Sequence, residues 1–190
     1  RNIDNQLCSR PEYYLPAVKR YVEIIKQEFS IPIVVGGAGY SLFPHLALDY
    51  LGANWGIAGD GELSFPLLLG ALESHKDPSN LPGLITPDRR GEGSILASIE
   101  DYAQIPLPAW ETLRLREYHE EHGSLSILAR RGCPYNCIYC DVPVREGHAV
   151  RGKNPLRLVD EIEAASRLNI SEVFVADNIF NYPEGYARAV

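Results

Sequence analysis

The chain has 190 residues, room for one full domain or parts of two, and its 45% hydrophobic and 23% charged composition is that of a folded globular protein rather than a disordered one. A formal net charge of −7 argues against a general nucleic-acid binder, which needs a basic face to displace phosphate counterions. No apolar run is long enough to cross a bilayer and the N-terminus lacks the basic-then-apolar order of a signal peptide, so a cytoplasmic protein with neither membrane nor nucleic acid as partner is expected. The chain opens on Arg1, contains no methionine and closes on EGYARAV, a helix cut soon after it begins; both ends read as cuts in a longer protein.

Pro16 to Phe29 predicts a helix, with Val18, Tyr21, Val22, Ile25 and Phe29 on one face and Lys19, Arg20, Glu23 and Lys26 largely on the other. IPIVVGG is a short β-branched run that stops at Gly36-Gly37, the pattern of a fully buried strand. SLFPHLALDYLG predicts a second helix, closed by Gly52. ANWGIAGDGE gives a weaker strand ending in a glycine turn, and LSFPLLLGALESH a further apolar helix. Short alternating helices and strands imply α/β architecture, a parallel sheet with helical cover.

From about Lys76 to Gly123 the texture changes. KDPSNLPGLITPDRRGEGS is rich in proline, glycine and charge and reads as a surface connection with room for a small hairpin. IPLPAWETL suggests an extended segment pinned across a surface, so residues 76–123 are expected to link two domains, 1–75 and 124–190. SLSILARRG then predicts a strand that runs straight into a cluster of cysteines. Asn154-Pro155 makes a helix start, with asparagine as cap and proline in the first turn, and Leu156, Val159, Ile162 and Ala165 or Ser166 keep helical spacing as far as Leu168. SEVFVAD is a second buried-type strand, ending in Asp177, so strand, cysteine loop, helix and strand form one βαβ unit.

RGCPYNCIYC, Arg131 to Cys140, holds three of the four cysteines: Cys133, Cys137 and Cys140. Four readings compete for them. A disulfide framework suits an oxidising compartment and leaves one thiol of three unpaired. Structural zinc needs four ligands, and the remaining candidates are Cys8, far off in another unit, and His148. Free cysteines can also be plain core residues. The fourth reading is an iron–sulfur cluster, in which three thiolates take three metal corners and leave one iron open for a substrate or cofactor.

CPYNCIYC matches Cys-x-x-x-Cys-x-aromatic-Cys, and in this it resembles the cluster-binding loop of the radical S-adenosylmethionine enzymes. The resemblance implies a [4Fe-4S] cluster on Cys133, Cys137 and Cys140, and S-adenosylmethionine chelated at the open iron. It further implies Tyr139 packed near the adenine, and reductive cleavage to a 5′-deoxyadenosyl radical. The motif follows a strand, as expected where barrel enzymes keep their chemistry at strand C-termini.

Upstream, PIVVGGAGYSLFP and GDGELSF resemble the glycine turns of cobalamin-binding radical S-adenosylmethionine proteins, in which Gly-Glu-Gly-Glu is the more usual form of the second; RNIDNQ, IPLPAW, Gly147 and Arg151 extend the likeness. It implies the latter part of a Rossmann-like cobalamin domain followed by the first βαβ of a radical (β/α) barrel, the chain covering half or less of a complete enzyme. Asn2, Gly36, Gly37 and Gly39 would lie near cobalamin, where a large flat ligand needs close backbone approach. The expected activity is methyl transfer to an unactivated carbon of a small molecule, with a reductant such as flavodoxin or ferredoxin. The rivals are a radical enzyme without cobalamin, used for ring formation or rearrangement, and a non-enzymatic zinc or electron-transfer module.

Asp177 and Asn178 fall at the end of the second strand, where they could face S-adenosylmethionine or simply cap a loop. Arg130 and Arg131 could steady the cluster's charge or pair with a carboxylate. Glu62 suits the positive end of a helix, and His45, His75, Glu120 and Glu121 read as surface or interface residues.

Overall fold

The computed structural model describes residues 9–88, 96–115, 117, 120 and 124–189; Asn2, the rest of RNIDNQ, Cys8 and Glu121 lie outside the described residues. The chain divides into two compact units, Arg1–Ile99 with Val144–Glu146, and Glu100–Pro143 with Gly147–Val190.

The first unit begins with α1 (Leu15–Glu28), which carries Pro16 in its first turn and ends where Phe29 turns extended. Its apolar face is less covered than its spacing suggests. Val22 is buried and Ile25 half-buried, whereas Val18, Tyr21 and Phe29 are exposed. The helix end is tied by Lys26, whose Nζ donates to the Gly52 carbonyl at 2.5 Å.

β1 (Val34–Gly36) and β2 (Trp55–Ile57) pair in parallel, Val35 opposite Gly56. Val34 and Val35 are only half-buried, so β1 is not the fully buried strand its composition suggests. Between these strands the expected single helix is two, α2 (Ala38–Leu42) and α3 (Pro44–Leu51). The break has a steric cause: Pro44 disfavours helical backbone at the residue before it, and Phe43 sits at φ −139°, ψ 58°. Gly52 closes α3 in the left-handed conformation, its N–H donating to the Leu48 carbonyl at 2.9 Å.

α4 (Gly61–Glu73) tolerates Pro66 in its interior and carries Glu62 in its first turn. After it, β3 (Leu84–Ile85) adds antiparallel to β2, so the sheet has order β1-β2-β3 and is mixed rather than all-parallel. Only two residues between Pro82 and Pro87 carry this strand, too short a run to show as a periodic pattern. Leu48, Ala58 and Ile85 form the core with Tyr40, Ala47 and Ala53.

Asp60 occupies the cap position of α4 but does not cap it. Its Oδ2 instead accepts from the buried Ile99 N–H at 2.8 Å, and its own N–H donates to the Ala97 carbonyl at 2.7 Å. The segment after the proline-rich stretch is thereby fastened to the end of β2.

In the second unit, β4 (Leu125–Ile127) pairs in parallel with β7 (Val173–Val175), Ser126 opposite Phe174. This is the expected βαβ pairing, although Phe174 faces outward and β7 is covered on one side only. β5 (Arg130–Arg131) continues the line of β4 and pairs antiparallel with β6 (Arg151–Gly152), on either side of the cysteine loop and the short α5 (Val142–Glu146).

α6 (Pro155–Arg167) starts as expected: the Asn154 side chain accepts from the Arg157 N–H at 2.8 Å. Its buried face matches the expected one at Ala165 and, in part, at Ile162, and differs elsewhere. Leu158, Glu161 and Ala165 point inward, while Leu156 and Val159 are exposed. An ion pair turns the helix: Glu161, 2% exposed, lies 2.7 Å from the Lys153 ammonium, which also donates to the Leu128 carbonyl at 2.6 Å. Trp110, Leu115, Leu125 and Ile127 complete a core with Ala129, Leu158 and Ala165. No helix among the described residues is long and apolar enough to cross a membrane.

Two stability measurements check these contacts. Asp60→Ala strands the Ile99 N–H and should cost about 1–3 kcal/mol in urea unfolding, with Asp60→Asn costing less because it keeps an acceptor. Glu161→Leu leaves the Lys153 charge unpaired and should cost about 3–5 kcal/mol, whereas the double variant Lys153→Met/Glu161→Leu should recover most of it.

Candidate functional site

The parallel pairing of β4 and β7 sends both chains out of the same end of the sheet, and the candidate residues collect there. Beyond β4 the path turns at Gly132, whose φ is +85°. A Cβ there would lie 2.1 Å from the Ala149 carbonyl oxygen, so only glycine can stand between Arg131 and Cys133. The loop is then held by main-chain bonds: the Cys133 N–H donates to the Gly147 carbonyl at 3.2 Å, and the Cys140 N–H to the Cys137 carbonyl at 3.1 Å.

Cys133 and Cys140 are half-buried, Cys137 is exposed, and all three are free thiols. They share one loop but do not converge: among the described residues no group of three or more His, Cys, Asp or Glu side chains is gathered closely enough to hold a metal ion. The chemistry of the donor set nevertheless fits an iron–sulfur cluster, three soft thiols on one short loop with none spent on a disulfide. Tyr139 is 89% exposed, and Ile138 and Tyr135 on the same loop are also exposed.

Arg130 and Asp177 meet at the base of this loop. Asp177 Oδ1 accepts from the Ala129 and Arg130 N–H groups at 2.8 and 3.0 Å, and Oδ2 faces Arg130 Nε at 3.3 Å. The Asp177 side chain is 1% exposed, so its oxygens act on the strand end, not on an open ligand surface. The Arg130 side chain, 4% exposed, also donates to the carbonyls of Ile179, Phe180 and Tyr182. Its guanidinium lies 3.9 Å from the centre of the Tyr186 ring. Burial pushes the Tyr186 hydroxyl above its ordinary pKa, an effect that Arg130 opposes and Asp177 reinforces. The pairing of Arg130 with a carboxylate is one of its two expected roles; its hold on the 179–182 main chain has no sequence signal, since carbonyls belong to every residue.

In the first unit the glycine turns form a separate candidate site. Gly36 and Gly37 are exposed at the C-terminal end of β1, and Gly39 is half-buried in α2. Gly37 has φ +102° with open space where a side chain would begin. Ser41, a residue sequence reasoning missed, ties this turn to the next: its Oγ donates to the Gly37 carbonyl at 3.0 Å and accepts from the Gly59 N–H at 2.9 Å. Tyr40 is buried beside it against Gly56, and its hydroxyl has no hydrogen-bond partner among the described residues. Burial alone raises the pKa of that phenol strongly.

No family model matches the chain. It is 25% identical, over 99% of its length, to the tryptophan 2-C-methyltransferase of Streptomyces laurentii, and 26% identical, over 85%, to the cobalamin-dependent radical SAM methyltransferase TokK of Streptomyces tokunonensis. The chain spans 40% of the first relative and 25% of the second. Among solved structures, the radical S-adenosylmethionine methyltransferase TsrM from Kitasatospora setae, with tryptophan and a SAM analogue bound, superposes on 99% of the chain with a TM-score of 0.85 at 24% identity, using 37% of the TsrM chain. The same enzyme with cobalamin and a [4Fe-4S] cluster bound gives a TM-score of 0.81 over 99% of this chain and 38% of its own, at 24% identity. The α/β fold is therefore of the TsrM kind. Three thiols on a glycine-turned loop after a strand, glycine turns upstream, and relatives matched along nearly the whole chain lead to one conclusion: the chain is similar to cobalamin-dependent radical S-adenosylmethionine methyltransferases.

Proposed function

We propose that this chain is part of a cobalamin-dependent radical S-adenosylmethionine methyltransferase acting on an unactivated carbon of a small molecule. The first unit is the latter part of a Rossmann-like cobalamin domain and the second the opening βαβ of the radical barrel. The observation that carries the reading is the loop after β4, where Cys133, Cys137 and Cys140 offer three free thiols.

Cys133, Cys137 and Cys140 would hold a [4Fe-4S] cluster, three thiolates for four irons, and so leave room at it for S-adenosylmethionine. When bound, the cluster supplies the electron that cleaves S-adenosylmethionine to a 5′-deoxyadenosyl radical, and cobalamin carries the methyl group. The chain's own work is placement. Tyr139 offers an exposed ring face to the adenine, and Asp177 serves the S-adenosylmethionine end by fixing the backbone of the strand from which the loop departs. Gly36, Gly37 and Gly39 would lie along cobalamin, and the open space at Gly37 permits close approach of a flat ligand. A flavodoxin or ferredoxin supplies the electron, in a reducing cytoplasm where the thiols stay free.

Anaerobic reconstitution of the full-length protein tests this. About four irons and four sulfides per chain are expected, the number a four-iron cluster requires. Cys133→Ala, Cys137→Ala and Cys140→Ala should each lose most of that content, and Gly132→Ala should lower it by forcing the loop off the Ala149 carbonyl. Zinc without iron or sulfide would overturn the proposal. A cluster that responds to S-adenosylmethionine in a protein that binds no cobalamin would favour a radical enzyme of the rearranging kind.

A further inference from the structure

The segment from Asn178 to Gly185 has no helix or strand of its own, yet it follows β7 on the same edge of the sheet from which the cysteine loop departs. Its shape comes from one side chain. The carbonyls of Ile179, Phe180 and Tyr182 all accept from the Arg130 guanidinium, so the segment is curled around a residue of a different strand. Asp177, at the segment's root, accepts from the main chain of Ala129 and Arg130. The rings of Phe180 and Tyr186 lie 5.6 and 3.9 Å from the guanidinium carbon. A second link is independent of the charge: the Tyr182 ring stands edge-on to Tyr135, within the cysteine loop, with centroids 6.4 Å apart.

We infer that Arg130 is a positioning residue that locks the loop after β7 against the base of the cysteine loop, so that the two loops present one preformed surface to the ligand of the open iron. The inference rests on the proposed cluster site and concerns S-adenosylmethionine binding rather than cluster assembly. The three cysteines are carried by a loop of their own, turned at Gly132 against the Ala149 carbonyl and bonded from the Cys133 N–H to the Gly147 carbonyl. The ligand at the fourth iron, by contrast, has to lie beside both loops. Arginine is required for geometric reasons. Its planar fork reaches a carboxylate and three carbonyls at once, whereas a lysine ammonium is a point donor that keeps the charge but cannot span that set.

The experiment uses full-length protein, reconstituted anaerobically, in wild-type, Arg130→Lys and Arg130→Gln forms. Iron and sulfide are counted, S-adenosylmethionine is titrated against the spectrum of the reduced cluster, and amide hydrogen exchange is followed at residues 178–186. Both variants should keep the wild-type cluster content, exchange faster over 178–186, and need about 10- to 100-fold more S-adenosylmethionine, the range seen when groups behind a metal's ligands are removed. An Arg130→Lys protein that titrates like wild type would show that charge alone matters and would overturn the inference. Tyr135→Leu, on an exposed ring, decides the matter should the buried substitutions unfold the protein: a weaker response to S-adenosylmethionine with unchanged cluster content supports the latch, and an unchanged response removes it. A wild-type cluster whose spectrum ignores S-adenosylmethionine overturns the proposed function instead, and the inference with it.

Discussion

A guanidinium buried at the end of a strand must find acceptors for the N–H groups it carries, because each one left unpaired away from water costs free energy with nothing in return. Arg130 meets that demand with a carboxylate and three main-chain carbonyls, all drawn from the β7 side of the βαβ unit. Parallel strands share no hairpin, so their ends have no covalent reason to keep register. Here β4 and β7 are held in register at their C-terminal ends by charge satisfaction, since Asp177 also takes up the N–H groups of Ala129 and Arg130 as the ladder ends. The same contact that completes the strand pair also sets where the cysteine loop begins.

The two candidate sites make room for ligands by opposite means. At Gly37 a side chain is missing and the backbone stands open, which suits a broad ligand lying against main chain. At Gly132 the missing side chain makes room for protein, not ligand: the Ala149 carbonyl fills the space beside the turn into Cys133. Both glycines have positive φ, yet one borders open space and the other a carbonyl of its own chain. The difference is legible only from what surrounds them.

Much of the architecture could be read from the chain itself because it rests on local rules. Asn154-Pro155 starts α6 and Gly52 ends α3, since caps and left-handed glycines act within one turn of the residue that carries them. The interruption at Phe43 obeys an equally local rule that the apolar spacing masked. What escaped the sequence is non-local. β3 exists because Leu84 and Ile85 find β2, and no two-residue run declares that. The face of α6 turned inward because Glu161 pairs with Lys153, so a charged residue took a core position that periodicity reserves for an apolar one. The cysteine loop was the most legible part of the candidate site, as its chemistry is written in spacing. The role of Arg130 was the least, as it depends on carbonyls that no residue type announces.

These contacts share a consequence for chemistry. Among the described residues of the second unit, the buried charges are engaged in structure: Arg130 and Asp177 with each other and the main chain, Lys153 with Glu161 and the Leu128 carbonyl. Each of these charges is held by several fixed partners, and moving any one of them toward a ligand would strand the rest at several kcal/mol. The thiols of Cys133, Cys137 and Cys140 sit above this bonded base, free of disulfides and carried on a loop with exposed apolar neighbours. A rigid, charge-satisfied floor beneath a soft-donor loop divides the labour: the floor excludes competing polar ligands from its own groups and fixes the strand ends, and the loop keeps its donors available. Such a division keeps soft sulfur donors apart from the carboxylates, which favour hard cations and are here spent on structural partners.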